Sequence, residues 1–138
     1  MRHGQAVFVD SGAWIALALS RDPLHERARE QWLLLQGARA RLHTSVPVVI
    51  ETFTFLDRNA NRDVALAWRE SIYQPGTVRI LTCDLRDLQQ SWDYFRRADL
   101  HKLSAVDATS FAIMKRARIR IAYTFDHHFA AVGFRLVS

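Results

Sequence analysis

A short apolar run that stops on an acid and leads directly into a helix constrains this chain more than any other feature. Ala6–Val9 reads AVFV, four β-prone residues with no polar alternation, as in a strand covered on both faces. Asp10 follows at once, and Ser11–Leu19 continues as an apolar helix. Asp22-Pro23 breaks that helix, and Leu24–Leu35 resumes with Leu24, Ala28, Trp32 and Leu35 along one stripe. Arg41–Thr44 is a second strand, and Pro47 sits where a first helical turn tolerates proline, ahead of a helix to about Asp57. A helix over Arg62–Ile72, a strand over Val78–Thr82 and a charged helix over Asp84–Ala98 follow, the last with Leu88, Trp92 and Phe95 turned inward. The chain closes with a helix over Ser104–Ala117, a strand over Arg120–Phe125, a helical turn over His127–Val132 and a strand over Phe134–Val137. Strands alternating with helices predict an α/β/α sandwich, three layers around a mostly parallel central sheet.

Composition narrows the class. With 138 residues, 49% of them apolar, the chain can bury about two-thirds of its unfolded surface without disulfide or structural metal. No repeat, linker or composition shift divides it, so residues 1–138 are expected to form one domain. Cys83 is the sole cysteine, which excludes an internal bridge and a cysteine-built zinc cluster and favours a reducing compartment. Gly12–Leu19 is far short of a membrane span, and Asp10 interrupts any signal-peptide core, so a soluble, cytoplasmic protein is expected. The formal charge is +5, from 17 arginines with only Lys102 and Lys115 beside them. Arginine reads phosphate bidentately, which points toward nucleic acid, but these charges are dispersed along the sequence.

Most acids fall on polar helix faces: Glu26, Glu30, Asp63, Glu70, Asp87 and Asp93. Four do not. Asp10 and Asp126 each close an apolar strand and precede a helix, so each reads either as a helix cap or as a site residue. Asp107 stands three residues after Ser104, where a capping box is the competing reading. Glu51 lies mid-helix within Val48-Val49-Ile50-Glu51-Thr52-Phe53, on an apolar face where an unpaired carboxylate costs several kcal/mol. A salt bridge to a distant arginine is its alternative. Side chains just beyond parallel strands gather at one sheet edge, where ligands bind. Four carboxylates meeting there would raise one another's pKa values unless a divalent cation neutralised them. Oxygen ligands with no cysteine and no paired histidine suit Mg²⁺ or Mn²⁺, which can polarise a phosphodiester and activate water.

The segments VFVDSGAWIAL, SVPVVIETFTFL, LSAVDATSFAIMKR and TFDHHFAAVGF, in this order, resemble PIN-domain nucleases, above all VapC-type toxins. The resemblance spans nearly the whole chain, with Arg58–Arg97 its least specific part. It implies a PIN-like sandwich and a Mg²⁺-dependent endoribonuclease, with Mn²⁺ as substitute and metal-activated water as nucleophile. Its four-acid site matches Asp10, Glu51, Asp107 and Asp126, serving as both catalytic and metal-binding residues. Ser11 and Asp99 are candidates for a supporting layer around those acids, Asp99 alternatively pairing with Arg96, Arg97 or Lys102. His127 and His128 are read as turn packing rather than catalysis. The resemblance further implies an RNA substrate, a homodimer and a small antitoxin partner, with the toxin role as the leading reading. The alternatives are a PIN fold that only binds RNA or protein, or an RNA-processing nuclease that is no toxin. A ribonuclease-H-like fold is disfavoured because helices, not antiparallel strands, follow Asp10, and a receiver domain because the first strand reaches only one acid. For the dimer, the surplus of apolar helix residues is the motive: Trp14, Trp32, Leu33, Leu34, Leu35, Phe53, Phe55 and Trp68. Trp92 joins Trp14, Trp32 and Trp68 as tryptophans expected in core or dimer contacts.

Overall fold

The computed structural model describes residues 1–138. Five strands, β1 (Ala6–Val9), β2 (Arg41–Ser45), β3 (Arg79–Leu81), β4 (Ile121–Tyr123) and β5 (Arg135–Leu136), form one sheet in the order β3-β2-β1-β4-β5. Every pairing is parallel, so the sheet is wholly and not merely mostly parallel. The central strand β1 carries the AVFV run, and Val7, Phe8 and Val9 have no exposed surface. A strand sealed on both faces has no use for polar alternation, which is why this run has none.

The chain builds outward from β1 through β2 to β3, then returns past β1 to add β4 and β5. Helices α1 (Ser11–Ala18), α2 (His25–Gly37), α3 (Val46–Asn59) and α4 (Arg62–Ile72) fill the first crossovers and pack on one another. Helix α5 (Leu85–Ser91), a 3-10 turn at Trp92–Arg96 and α6 (Ala105–Ala117) fill the return crossover, and α7 (His128–Ala131) links β4 to β5. With right-handed crossovers, reversal of strand order places these two helix groups on opposite faces. It also opens a crevice beyond the carboxyl ends of β1 and β4.

Local chemistry starts the helices where the sequence suggests. Ser45 accepts from the Val48 N–H at 3.3 Å, Asn61 from Val64 at 2.8 Å and Ser104 from Asp107 at 3.0 Å. Trp14 of α1 meets Trp32 of α2 and Trp68 of α4 at ring-centroid distances of 6.2 and 6.0 Å. Trp14, Leu35 and Trp68 therefore belong to the core, whereas Leu33, Leu34 and Phe55 are exposed.

Two expectations fail in the return crossover. The helix expected over Asp84–Ala98 tightens after Ser91 into the 3-10 turn, which changes the face it presents. Tyr94 consequently packs on Phe111, with ring centroids 5.1 Å apart, while Trp92 and Phe95 point to solvent. Asp87, expected on a solvated face, is buried. It shares a capping box with Asp84 and accepts two hydrogen bonds from the Arg116 guanidinium of α6, at 2.9 and 3.0 Å. Burial alone would push the Asp87 carboxyl up, but Arg116 and the Asp84 backbone outweigh it and hold it below the ordinary range.

Removing Arg116 strands a buried anion. Arg116→Ala should cost about 2–3 kcal/mol, discounted for the half-exposed guanidinium, and lower the urea midpoint without changing m. A depressed acid stabilises above its unfolded pKa of 3.8, so the wild-type advantage is full above that pH and vanishes as pH falls through the folded value.

Candidate active site

Val9 pairs with Tyr123 in register, so the chain leaves β1 and β4 at the same edge. Asp10 donates its N–H to the Tyr123 carbonyl at 3.0 Å, and its side chain turns into the crevice, only 4% of the residue remaining exposed. It makes no cap bond to α1. Its Oδ2 accepts from the Thr124 hydroxyl at 2.9 Å, and that hydroxyl accepts from the Asp126 N–H at 3.0 Å. One threonine thus ties the two strand-end acids together. Asp10 Oδ1 is buried with no hydrogen-bond partner.

The other acids arrive on helices. Ser45 starts α3 at the carboxyl end of β2, which puts Glu51 about one and a half turns in. Ser11 Oγ, at the start of α1, donates to Glu51 Oε1 at 2.5 Å, and no arginine or lysine pairs with Glu51. The salt-bridge alternative is therefore absent. Asp107 lies in the first turn of α6; Ser104 caps its N–H, but its carboxyl is turned toward Asp126 rather than back onto Ser104. A carboxylate oxygen of Asp107, one of Asp126 and a ring nitrogen of His128 all lie within 4.8 Å of one another. His128 holds Asp126 twice, through its backbone N–H at 2.9 Å and through Nδ1, 3.0 Å from Oδ1.

Electrostatics follow from this crowding. Burial pushes Asp10 up to about 6 against the pull of the Thr124 hydroxyl and the neighbouring Ser11 N–H, and the charges of Glu51 and Asp126 add to the rise. Asp107 is pushed up to about 8, first by burial and then by Asp10, Asp126 and Glu51. Burial also acts on Asp126, but the His128 N–H and the proton-bearing Asp107 carboxyl outweigh it and leave Asp126 below the ordinary range. Asp107 and Asp126 lie close enough for the proton on one to bear on the charge of the other. A buried carboxylate oxygen without a donor, with Glu51, Asp107 and Asp126 near enough to act on its charge or on one another's, is an arrangement that suits a hard cation.

The PIN-domain family model matches residues 7–135. The chain belongs to the PIN-domain family. This PIN domain is 37% identical over 130 residues to the 23S rRNA-specific endonuclease VapC20 of Mycobacterium tuberculosis, covering 93% of this chain and 95% of that protein. The crystal structure of VapC20, a sarcin–ricin loop cleaving toxin, aligns with a TM-score of 0.83 at 34% identity, again over 93% and 95% of the two chains. DNA-bound VapBC from Salmonella typhimurium shares the fold, with a TM-score of 0.65 at 16% identity over 96% of both chains.

Within this PIN domain Asp99 stands apart from the four acids. It makes a bidentate pair with Arg97, at 3.0 and 2.7 Å, which also reaches the Ala131 carbonyl, and no hydrogen bond joins it to the cluster. Thr124 and the Asp126–His128 contact went unread in the sequence. A Thr-x-Asp-x-His spacing after a strand is their signature, since a hydroxyl two residues before an acid can accept from its N–H.

The raised acids carry a pH prediction. The folded protein keeps protons on Asp10 and Asp107 that the unfolded chain, with ordinary values of 3.8, has released. Metal-free stability should therefore fall as pH rises from about 4 to about 8. Asp107→Asn should flatten that fall in a thermal-melt series; a wild-type profile identical to the variant's contradicts the reading.

Proposed function

We propose that this PIN domain is a divalent-cation-dependent endoribonuclease, the toxin of a VapBC-type pair, acting on structured ribosomal RNA as its relative VapC20 does. The observation that carries the catalytic part is the unpartnered, buried Asp10 Oδ1 amid Glu51, Asp107 and Asp126. Those four carboxylates would hold Mg²⁺, with Mn²⁺ as substitute, because hard oxygen donors suit these ions. When bound, the ion supplies Lewis-acid polarisation of a phosphodiester and a lowered pKa for water.

The chain's own residues do the positioning. Thr124 fixes the Asp10 carboxylate, Ser11 that of Glu51, and His128 that of Asp126. Asp107, raised to about 8, would hold a proton in the metal-free site and would release it on binding of a cation. His128 is committed through Nδ1 to Asp126, which supports an orienting rather than a proton-transfer role.

Asp10→Asn and Glu51→Gln test this directly. Each keeps shape and hydrogen-bonding capacity while removing a hard anionic ligand, so rRNA cleavage should fall by orders of magnitude. Metal-free melting temperature should hold or rise, because crowded anions are thinned, and the stabilisation by millimolar Mg²⁺ seen in the wild type should disappear. Asn serves a helix cap about as well as Asp, so full cleavage by Asp10→Asn would return that residue to capping.

The partner readings rest on the surface. Leu33 and Leu34 of α2, Ile50 and Phe55 of α3, and Trp92 and Phe95 of the 3-10 turn are exposed apolar side chains, which supports homodimer and antitoxin contacts. No helix is long and apolar enough to cross a membrane, and a cytoplasmic toxin is part of the same reading. Sedimentation at micromolar concentration should give twice the 15.9 kDa chain mass; a clean monomer contradicts the dimer.

A further inference from the structure

The arginines dispersed along the sequence are gathered by the fold. All five parallel strands start at the edge of the sheet opposite the acids, and the segments feeding them are residues 1–5, 38–41, 76–79, 118–120 and 133–135. These segments contain seven of the 17 arginines and no Asp or Glu. With those seven charges set aside, the net charge of +5 becomes −2. The basic character of this protein therefore resides at the strand-entry edge, not around the active site.

Four of the seven, Arg41, Arg118, Arg120 and Arg135, line an open cleft of about 560 Å³ with Gln5 and Gly133. None forms an ion pair, and each is exposed. Backbone bonds hold the entries together: the Arg41 N–H donates to Gln5 O at 2.8 Å, and the Arg135 N–H to Arg120 O at 2.9 Å. Arg118 and Arg120 donate to no protein group through their side chains, while Arg41 Nε reaches Gly4 O at 2.9 Å. Arg39 and Arg118 occupy left-handed backbone, with φ of 48° and 58°. Glycine is the less strained choice there, so the turns carry guanidinium groups at a conformational cost.

We infer that this strand-entry cleft binds the phosphate backbone of the RNA substrate, on the opposite side of the sheet from the acids. The inference rests on the ribonuclease reading above. Unpaired, exposed guanidinium forks in one cleft match phosphate oxygens geometrically and supply the counterion-release affinity that an acidic site cannot. Strands of four or five residues separate the two edges by roughly 13–17 Å, so an RNA that reaches both must be a folded one. A stem-loop wrapping the sheet end to end would bring its arms to the arginines and its loop to the carboxylates.

The test uses a stem-loop rRNA fragment, with binding followed by fluorescence anisotropy in EDTA over a KCl series. The Arg120→Gln/Arg135→Gln pair should weaken binding about tenfold near 0.1 M salt and reduce the log–log salt slope by roughly 1.4–1.8, two phosphate contacts being lost. Arg120→Lys/Arg135→Lys should keep most of the slope. In Mg²⁺, the Gln pair should raise KM for the stem-loop with kcat unchanged, because it leaves the acids untouched. Arg118→Gly removes one guanidinium while relaxing its backbone, and should reduce the slope by about half as much, which guards against a folding defect in the pair. A wild type that neither binds nor cleaves RNA overturns the ribonuclease reading. A wild type that does both, with Gln variants equal to it in affinity and slope, overturns this inference alone. Unchanged RNA affinity with lost binding to polyglutamate would assign the cleft to an acidic protein segment and overturn it as well.

Discussion

Repulsion among carboxylates crowded beyond β1 and β4 is the constraint around which the rest of this molecule is arranged. Asp10 and Asp126 are brought to one edge by a parallel register, Glu51 and Asp107 by helices that start there. Parallel pairing is essential, since an antiparallel neighbour would send Asp126 to the far edge. Burial, with the neighbouring carboxylates adding to it, pushes Asp107 up to about 8 and Asp10 up to about 6. The Ser11 and Thr124 hydroxyls and the His128 ring hold the carboxylates in place. Such a site is stable when protonated or when a cation occupies it, and loses stability when it is fully ionised.

The same topology sorts charge across the sheet. Strand ends carry acids at one edge, and strand entries carry arginines at the other. Because the strands are parallel and short, each βα unit contributes to both edges at fixed spacing. On the proposed reading, the acidic edge would repel a polyanion until its charge is balanced, so affinity for RNA would have to come from elsewhere on the surface. The strand-entry cleft, with four arginines free of ion pairs, is where we infer that affinity to reside.

Much of this was legible in the residues. AVFV followed by Asp10 announces a central strand with a candidate site residue at its end, and the Ser104–Asp107 spacing marks the start of α6. Glu51 stood out because nothing local excused a carboxylate among Val48, Ile50 and Phe53. What escaped depends on partners distant in sequence. Asp87 looked solvated because its counterion, Arg116, arrives 29 residues later on another helix. Trp92 and Phe95 were misplaced because a change of helical pitch after Ser91 cannot be read from periodicity. Thr124 earns its place through Asp10, 114 residues away. The arginine edge was invisible for the same reason: five short segments meet only when the sheet is assembled.

Proton release on cation binding tests the central claim most directly. Calorimetric titration of the metal-free protein with Mn²⁺ at pH 7, repeated in two buffers of different ionisation enthalpy, counts the protons expelled. With Asp107 protonated up to about pH 8, the account predicts saturable binding with release of close to one proton per cation. Asp107→Asn should bind more weakly and release almost none. Binding that expels no proton from the wild type, or no binding at millimolar Mn²⁺, would contradict a carboxylate cluster held in check by a divalent ion.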